Sequence, residues 1–373
     1  MKAILRSLIV LTALLTLATN GHAQQEAPRI QIAILLDTSG SMEGLIEQAK
    51  TQLWKVVNEF ATAERDGARP ELEVALYEYG KSSLPAEEGY LRMILPLTTD
   101  LDAVSQELFA LTTNGGDEYC GWVIRDAVRD LNWSSSNKDL KAIFIAGNEP
   151  FTQGGIDFRE SCRSSIGKGI VVNTIHCGSF DEGRTGSWEE GALLADGRYL
   201  YIDQNQALVH IDAPQDADIA RLGAELNTTY IPYGSAGLAS AERQEVQDAN
   251  AMGAAPAAAA ERAVFKASAH YKNSGWDLVD AVEGGDIELK ELEEEALPEE
   301  MRQMTLEEQT LFVQENATKR VELQEQINQL NAERELYVAE KMKELSEKGT
   351  NTWDEAMIEA IREQAEAREF ELK

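Results

Sequence analysis

Asp37, Thr38, Ser39, Gly40 and Ser41 form the pattern Asp-x-Ser-x-Ser. One carboxylate and two hydroxyls at alternating positions are three hard oxygen donors that can face a single point. That is the donor set of an octahedral Mg²⁺ site, with Mn²⁺ or Ca²⁺ as alternatives. Gly40 permits a tight turn between the serines. The same residues would also serve as plain caps for a helix opening near Gly44. Position favours the ion. The pentad follows an apolar β-type run at 30–36 and precedes an amphipathic stretch at 44–63. In open α/β sheets, ligands bind just beyond the carboxyl ends of the strands.

The elements that position this turn follow from periodicity. Short apolar runs at 72–79, 93–97, 140–146, 170–176 and 198–202 read as strands. They alternate with helical spacing at 101–111, 121–131, 156–166, 188–195 and 216–226, with Asp100 as a cap for the first of these. Strands alternating with helices over some 200 residues predict a mostly parallel sheet with helices on both faces.

At this point the chain resembles the von Willebrand factor type A (VWA) domain, whose metal-ion-dependent adhesion site (MIDAS) opens with Asp-x-Ser-x-Ser after its first strand. The resemblance covers residues 29–233. It implies a Rossmann-like sheet with one short antiparallel edge strand. It also implies a divalent cation whose open position takes an acidic group from a protein partner. Asp37, Ser39 and Ser41 match the first loop of that site. The family's second loop has a Thr after a glycine pair. Here Gly115-Gly116 is followed by Asp117, with Glu118 beside it. The family's third loop has Thr-Asp-Gly, but here Gly147 stands at the Asp position and Asn148 and Glu149 follow. Asp117 and Glu149 are therefore the expected completing ligands, with Glu118 and Asn148 in support. Such acids repel one another unless something neutralises them. The competing expectation is a site that has lost its metal on a fold kept as scaffold.

The other reactive side chains carry weaker patterns. Cys120, Cys162 and Cys177 are too few for a disulfide framework. In an oxidising compartment one bridge is expected, from Cys120 to Cys162 or to Cys177. A zinc site from Cys120, His176 and Cys177 lacks any Cys-x-x-Cys spacing. His176, His210 and His270 accompany no nucleophile motif, and no P-loop or dinucleotide fingerprint occurs. An enzyme is not expected. A hydrolase would have to use paired carboxylates such as Asp117 and Glu118.

Composition sets the surroundings. The formal net charge is −31 over 373 residues, which disfavours polyanionic partners such as nucleic acid. Lys2 and Arg6, an apolar run at 8–18 and Gly21-His22-Ala23 have the layout of a signal peptide cleaved after residue 23. The mature protein is then expected to be periplasmic or secreted, with no transmembrane segment. Residues 234–262, rich in Ala, Gly, Ser and Gln, read as a linker or a weak helix beside one. Residues 263–373 read as an acidic helical tail. Leu323, Ile327 and Leu330 follow 4-3 spacing, and the seam then slips to Val338, Met342 and Leu345. This leaves a coiled coil, and homo-oligomerisation through it, open.

Overall fold

A computed structural model describes residues 27–60, 63–202, 211–346 and 353–372. The expected signal peptide, and His210, lie outside the described residues.

The first strand, β1 (Arg29–Asp37), leads into helix α1 (Glu43–Glu59), and β2 (Glu71–Tyr79) and β3 (Leu91–Thr98) follow. Helices α2 (Leu101–Ala110) and α3 (Cys120–Asp130) precede β4 (Leu140–Gly147). Then come α4 (Phe158–Gly167), β5 (Val171–Cys177), α5 (Phe180–Thr185), α6 (Trp188–Leu194), β6 (Tyr199–Ile202) and α7 (Asp216–Asn227). The sheet order is β3-β2-β1-β4-β5-β6. Its pairings are parallel except β2 with β3, which is antiparallel at the edge. This is the Rossmann-like VWA arrangement that the resemblance implies. The strand order reverses beside β1, so the Asp37 turn sits at the switch point where such sheets bind ligands.

Alternation along the strands explains why both faces are covered. Ile30, Ile32 and Leu36 of β1 join one apolar cluster, and Ala33 and Leu35 join the other. The second cluster is closed by α3, α4 and α6, through residues such as Val123, Ile124, Phe158 and Trp188. Asp100 caps α2, its side chain accepting from Ala103 N–H.

The alanine-rich stretch is helical. It forms α8 (Gly237–Ala254) and α9 (Pro256–Lys266), packed against α1, α2 and α7. Alanine is the strongest helix former and loses no side-chain entropy. Its small size also permits close packing: a Cβ on Gly223 of α7 would stand 2.7 Å from the Ala263 Cβ of α9. Pro256 starts α9, where its missing N–H costs nothing.

The acidic tail folds back on the same core. After α10 (Leu278–Glu283) comes α11 (Leu306–Ser346), a helix of 41 residues, and then α12 (Trp353–Glu366). Leu323 and Ile327 are buried in the first cluster, and Leu330 packs against it. That seam thus meets its own chain, with α7 and α9 as the neighbours of α11. Buried arginines fix the helix. Arg320 donates to Asp277 and Asp280 at 2.7 Å each, and Arg334 to Asp216 and Glu261 at 2.6 Å each. Ile361, Ala365 and Phe370 close the same cluster from the chain's end. Among the described residues, no helix is long and apolar enough to cross a membrane.

Candidate functional site

Asp37 ends β1 with its side chain fully buried. Its Oδ1 accepts from the Ser39 N–H at 2.7 Å, the short-range bond expected of an Asp opening a turn. The Asn148 backbone, from the loop after β4, eases the charge of this carboxylate. The turn is held to β2, since Thr38 N–H donates to Tyr79 C=O at 2.8 Å and Thr38 Oγ1 to Glu78 at 3.1 Å. Ser39 and Ser41 hydroxyls lie 3.1 Å apart, and Asn148 Nδ2 donates to Ser41 Oγ at 3.0 Å.

The second loop is tied over this turn by backbone. Asn114 N–H donates to Thr38 C=O at 3.0 Å, and Ser82 N–H to Gly115 C=O at 2.7 Å. This path turns Glu118 inward, 5% exposed. Gly80 makes the convergence possible. A Cβ there would stand 2.7 Å from both Asp37 Oδ1 and Glu118 Cγ, and its φ is +80°. Gly80→Ala therefore combines left-handed backbone, costing about 1–2 kcal/mol, with overpacking at about 1–3 kcal/mol. A loss of roughly 3 kcal/mol is expected in urea unfolding. A loss under about 1 kcal/mol would mean that the two acids are not packed against this glycine.

Two buried carboxylates facing one region are electrostatically costly. Burial pushes Asp37 up to about 7 against the relief of Ser39 and Asn148, and Glu149 adds to the rise. Burial likewise lifts Glu118 to about 8, helped by repulsion from Asp37, Glu149 and Asp117. Asp37 Oδ2 and Glu118 Oε2 are both buried and accept no hydrogen bond. Orphaned acceptors in a native interior ask for a missing partner. Two carboxylate oxygens beside two hydroxyls fit a hard divalent cation. Among the described residues no group of three or more His, Cys, Asp or Glu is arranged to hold a metal, so any ion here would depend on the hydroxyls as well.

The other two expected acidic ligands are exposed rather than buried with this pair. Asp117 is exposed, its carboxylate accepting from Tyr119 OH at 3.3 Å. Glu149 is exposed and accepts from Gln153 Nε2 at 3.2 Å, so both act on the buried pair only through their charge. The family's third-loop Asp has no room at Gly147. A Cβ there would lie 2.5 Å from Tyr79 OH and 3.2 Å from Asp37 Cβ. The Tyr79 phenol fills that space and donates to Ala146 C=O at 2.9 Å.

Gln153 joins the two outer loops, accepting from Glu118 N–H at 3.1 Å while donating to Glu149. Nothing in its sequence surroundings marks that role. Trp188 steadies the third loop by donating to Glu149 C=O at 2.8 Å.

The expected disulfide is not formed, and all three cysteines are buried thiols. Cys120 belongs to one apolar cluster and Cys177 to the other, so the sheet stands between them. Cys162 shares the face of Cys120. Instead of a bridge, the Cys120 thiol donates to Tyr79 OH at 3.8 Å.

No family model and no curated protein matches the chain. Solved structures do. The conserved hypothetical protein BatB from Bacteroides thetaiotaomicron is 19% identical with TM-score 0.36, the match covering 47% of this chain and 90% of that one. The SpRpn10 VWA domain is 15% identical, TM-score 0.35, covering 48% and 90%. Proximal thread matrix protein 1 from the mussel byssus, solved with a zinc-occupied MIDAS motif, is 12% identical, TM-score 0.37, covering 48% and 43%. At TM-scores below 0.5 these likenesses carry no argument about this chain.

Proposed function

We propose that this chain is an exported VWA-type binding module that engages a protein partner through a divalent cation, Mg²⁺ or one of similar hardness, at the end of β1. The observation that carries the reading is the pair of orphaned buried oxygens, Asp37 Oδ2 and Glu118 Oε2, beside the Ser39 and Ser41 hydroxyls. Asp37, Glu118, Ser39 and Ser41 would hold the ion, and Asn148 orients Ser41. The cation would neutralise the two acids and offer an open position to an oxygen donor of the partner. Asp117 and Glu149 lie outside the shell and tune its charge. The sequence features of residues 1–23 support export to the periplasm or beyond.

Calorimetric titration of Mg²⁺ and Mn²⁺ into chelator-stripped protein tests this. Binding is expected in the wild type and is expected to disappear in Asp37→Ala and in Glu118→Gln. No binding by the wild type at millimolar ion would leave the fold as a metal-free scaffold and overturn the proposal.

A further inference from the structure

A second cleft opens at the ends of β4 and β5, on the side of β4 away from β1. It holds about 660 Å³ and is lined by Glu149, His176, Asp181, Glu182 and Trp188, among others. Among the described residues its lining includes three carboxylates and no lysine or arginine. His176 is only 4% exposed, yet neither ring nitrogen has a hydrogen-bond partner. A buried imidazole with both nitrogens unsatisfied is rare and needs an explanation. The neighbouring backbone cannot supply a side-chain partner. A Cβ on Gly178 would lie 2.6 Å from His176 Nε2, and one on Gly183 would lie 2.7 Å from its Cδ2. Trp188, its ring centroid 5.6 Å from that of His176, gives the cleft an aromatic wall.

We infer that this cleft binds a donor-only cationic group, the guanidinium or ammonium of a basic side chain on a partner protein. Three features select that chemistry. The carboxylates of Glu149, Asp181 and Glu182 attract a cation. Burial lowers the His176 pKa against the pull of Glu182, which favours the neutral ring, and a neutral imidazole offers one acceptor nitrogen. A metal ion is the weaker occupant, because no three His, Cys, Asp or Glu among the described residues are arranged around one point. Glu182 keeps a further task, with Oε2 accepting from Ser179 in the capping box of α5. The inference goes beyond the cation reading and does not depend on it.

The test is a titration of full-length protein carrying ¹⁵N-labelled histidine with N-acetyl-arginine amide, followed by NMR. The His176 ring signals, identified by their loss in His176→Phe, are expected to move. N-acetyl-citrulline amide, of similar shape but uncharged, is expected to leave them in place. The double variant Asp181→Asn, Glu182→Gln keeps the helix cap and is expected to weaken binding at least about tenfold. If His176→Phe does not fold, the double variant and the citrulline arm carry the test. Equal shifts with the citrulline compound, or unchanged binding by the double variant, would overturn the inference. A short peptide centred on one arginine is expected to bind more tightly than the amide. A peptide that binds less tightly would remove the protein side chain as the source of the cation.

Discussion

In buffer containing a chelator, the protein is expected to lose stability as pH rises from about 5 to about 8, and millimolar Mg²⁺ is expected to restore much of it. The sign follows from the two buried acids. Folding raises Asp37 from 3.8 to about 7 and Glu118 from 4.5 to about 8. Between the unfolded and folded values, the native state holds protons that the unfolded chain has released. Stability therefore falls with rising pH across that window and is flat below it. Each tenfold change in proton affinity on folding corresponds to about 1.4 kcal/mol, so the two shifts together predict a fall of several kcal/mol across the window. His176 acts in the opposite direction, because burial lowers its pKa and an imidazole that must stay neutral gains from rising pH.

Asp37→Asn separates these contributions. It keeps the shape and the Oδ1 acceptor for Ser39 but removes one of the two charges. Urea unfolding at fixed pH steps, read by the buried Trp54 and Trp188, should give a shallower pH slope in chelator. The variant should be more stable than the wild type at pH 8 without metal, and should gain nothing from Mg²⁺. An unchanged slope would show that Asp37 and Glu118 are not the groups at issue. A slope that disappears in the variant, in a wild type indifferent to Mg²⁺, would keep the electrostatic account and remove the ion.

The part of this site that was legible in the sequence is the part that is local. Asp37, Ser39 and Ser41 lie on one turn, with the Ser39 N–H on Asp37 Oδ1 and the two hydroxyls 3.1 Å apart, and alternating strands and helices fixed where that turn had to lie. Which acid of the second loop faces inward is a different matter. Asp117 and Glu118 are adjacent, and the loop's path decides between them through Asn114 N–H on Thr38 C=O and the tight passage of Gly116. A Cβ on Gly116 would lie 2.6 Å from Gly80 C=O oxygen, so only a glycine can follow this course there. The disulfide expectation followed compartment chemistry. Sheet parity, which sends Cys177 to the face opposite Cys120, outweighed it for one of the two pairings. The alanine-rich segment read as a linker or as a weak helix beside one, because composition does not reveal whether neighbouring helices offer surfaces small enough to meet it. The pairing of Arg262, Arg320 and Arg334 with acids tens of residues away has no local signature at all.

Arg262 is the clearest case of such hidden dependence, and Arg262→Met is expected to lower stability by about 3–5 kcal/mol. The side chain is 1% exposed. Its Nη1 donates to Asp102 of α2 at 2.7 Å, its Nη2 to Gln244 C=O of α8 at 3.1 Å, and its Nε to Asp248. The guanidinium also lies over the Trp54 ring of α1, 4.7 Å from its centroid. Lys266 shares Asp248 and reaches Asn227 of α7 at 2.6 Å, while Tyr271 OH donates to Asp102 at 2.6 Å. One charged cluster thus joins four helices that cover the sheet around α9. Methionine preserves much of the stem's packing on Trp54 but leaves the Asp102 carboxylate buried without its cation, and that unpaired charge dominates the cost. Replacing both partners should be cheaper than replacing one. Arg262→Met with Asp102→Leu is therefore expected to recover at least about half of the loss, because apolar groups of similar volume remove both desolvation penalties together. Urea unfolding of the two single variants and the double variant closes the cycle. Additive losses, with no recovery in the double variant, would show that packing rather than charge pairing fixes α9. None of these groups hydrogen-bonds Asp37 or Glu118, so the pH slope in chelator should survive Arg262→Met unchanged, which keeps the helical cover and the candidate ion site experimentally separate.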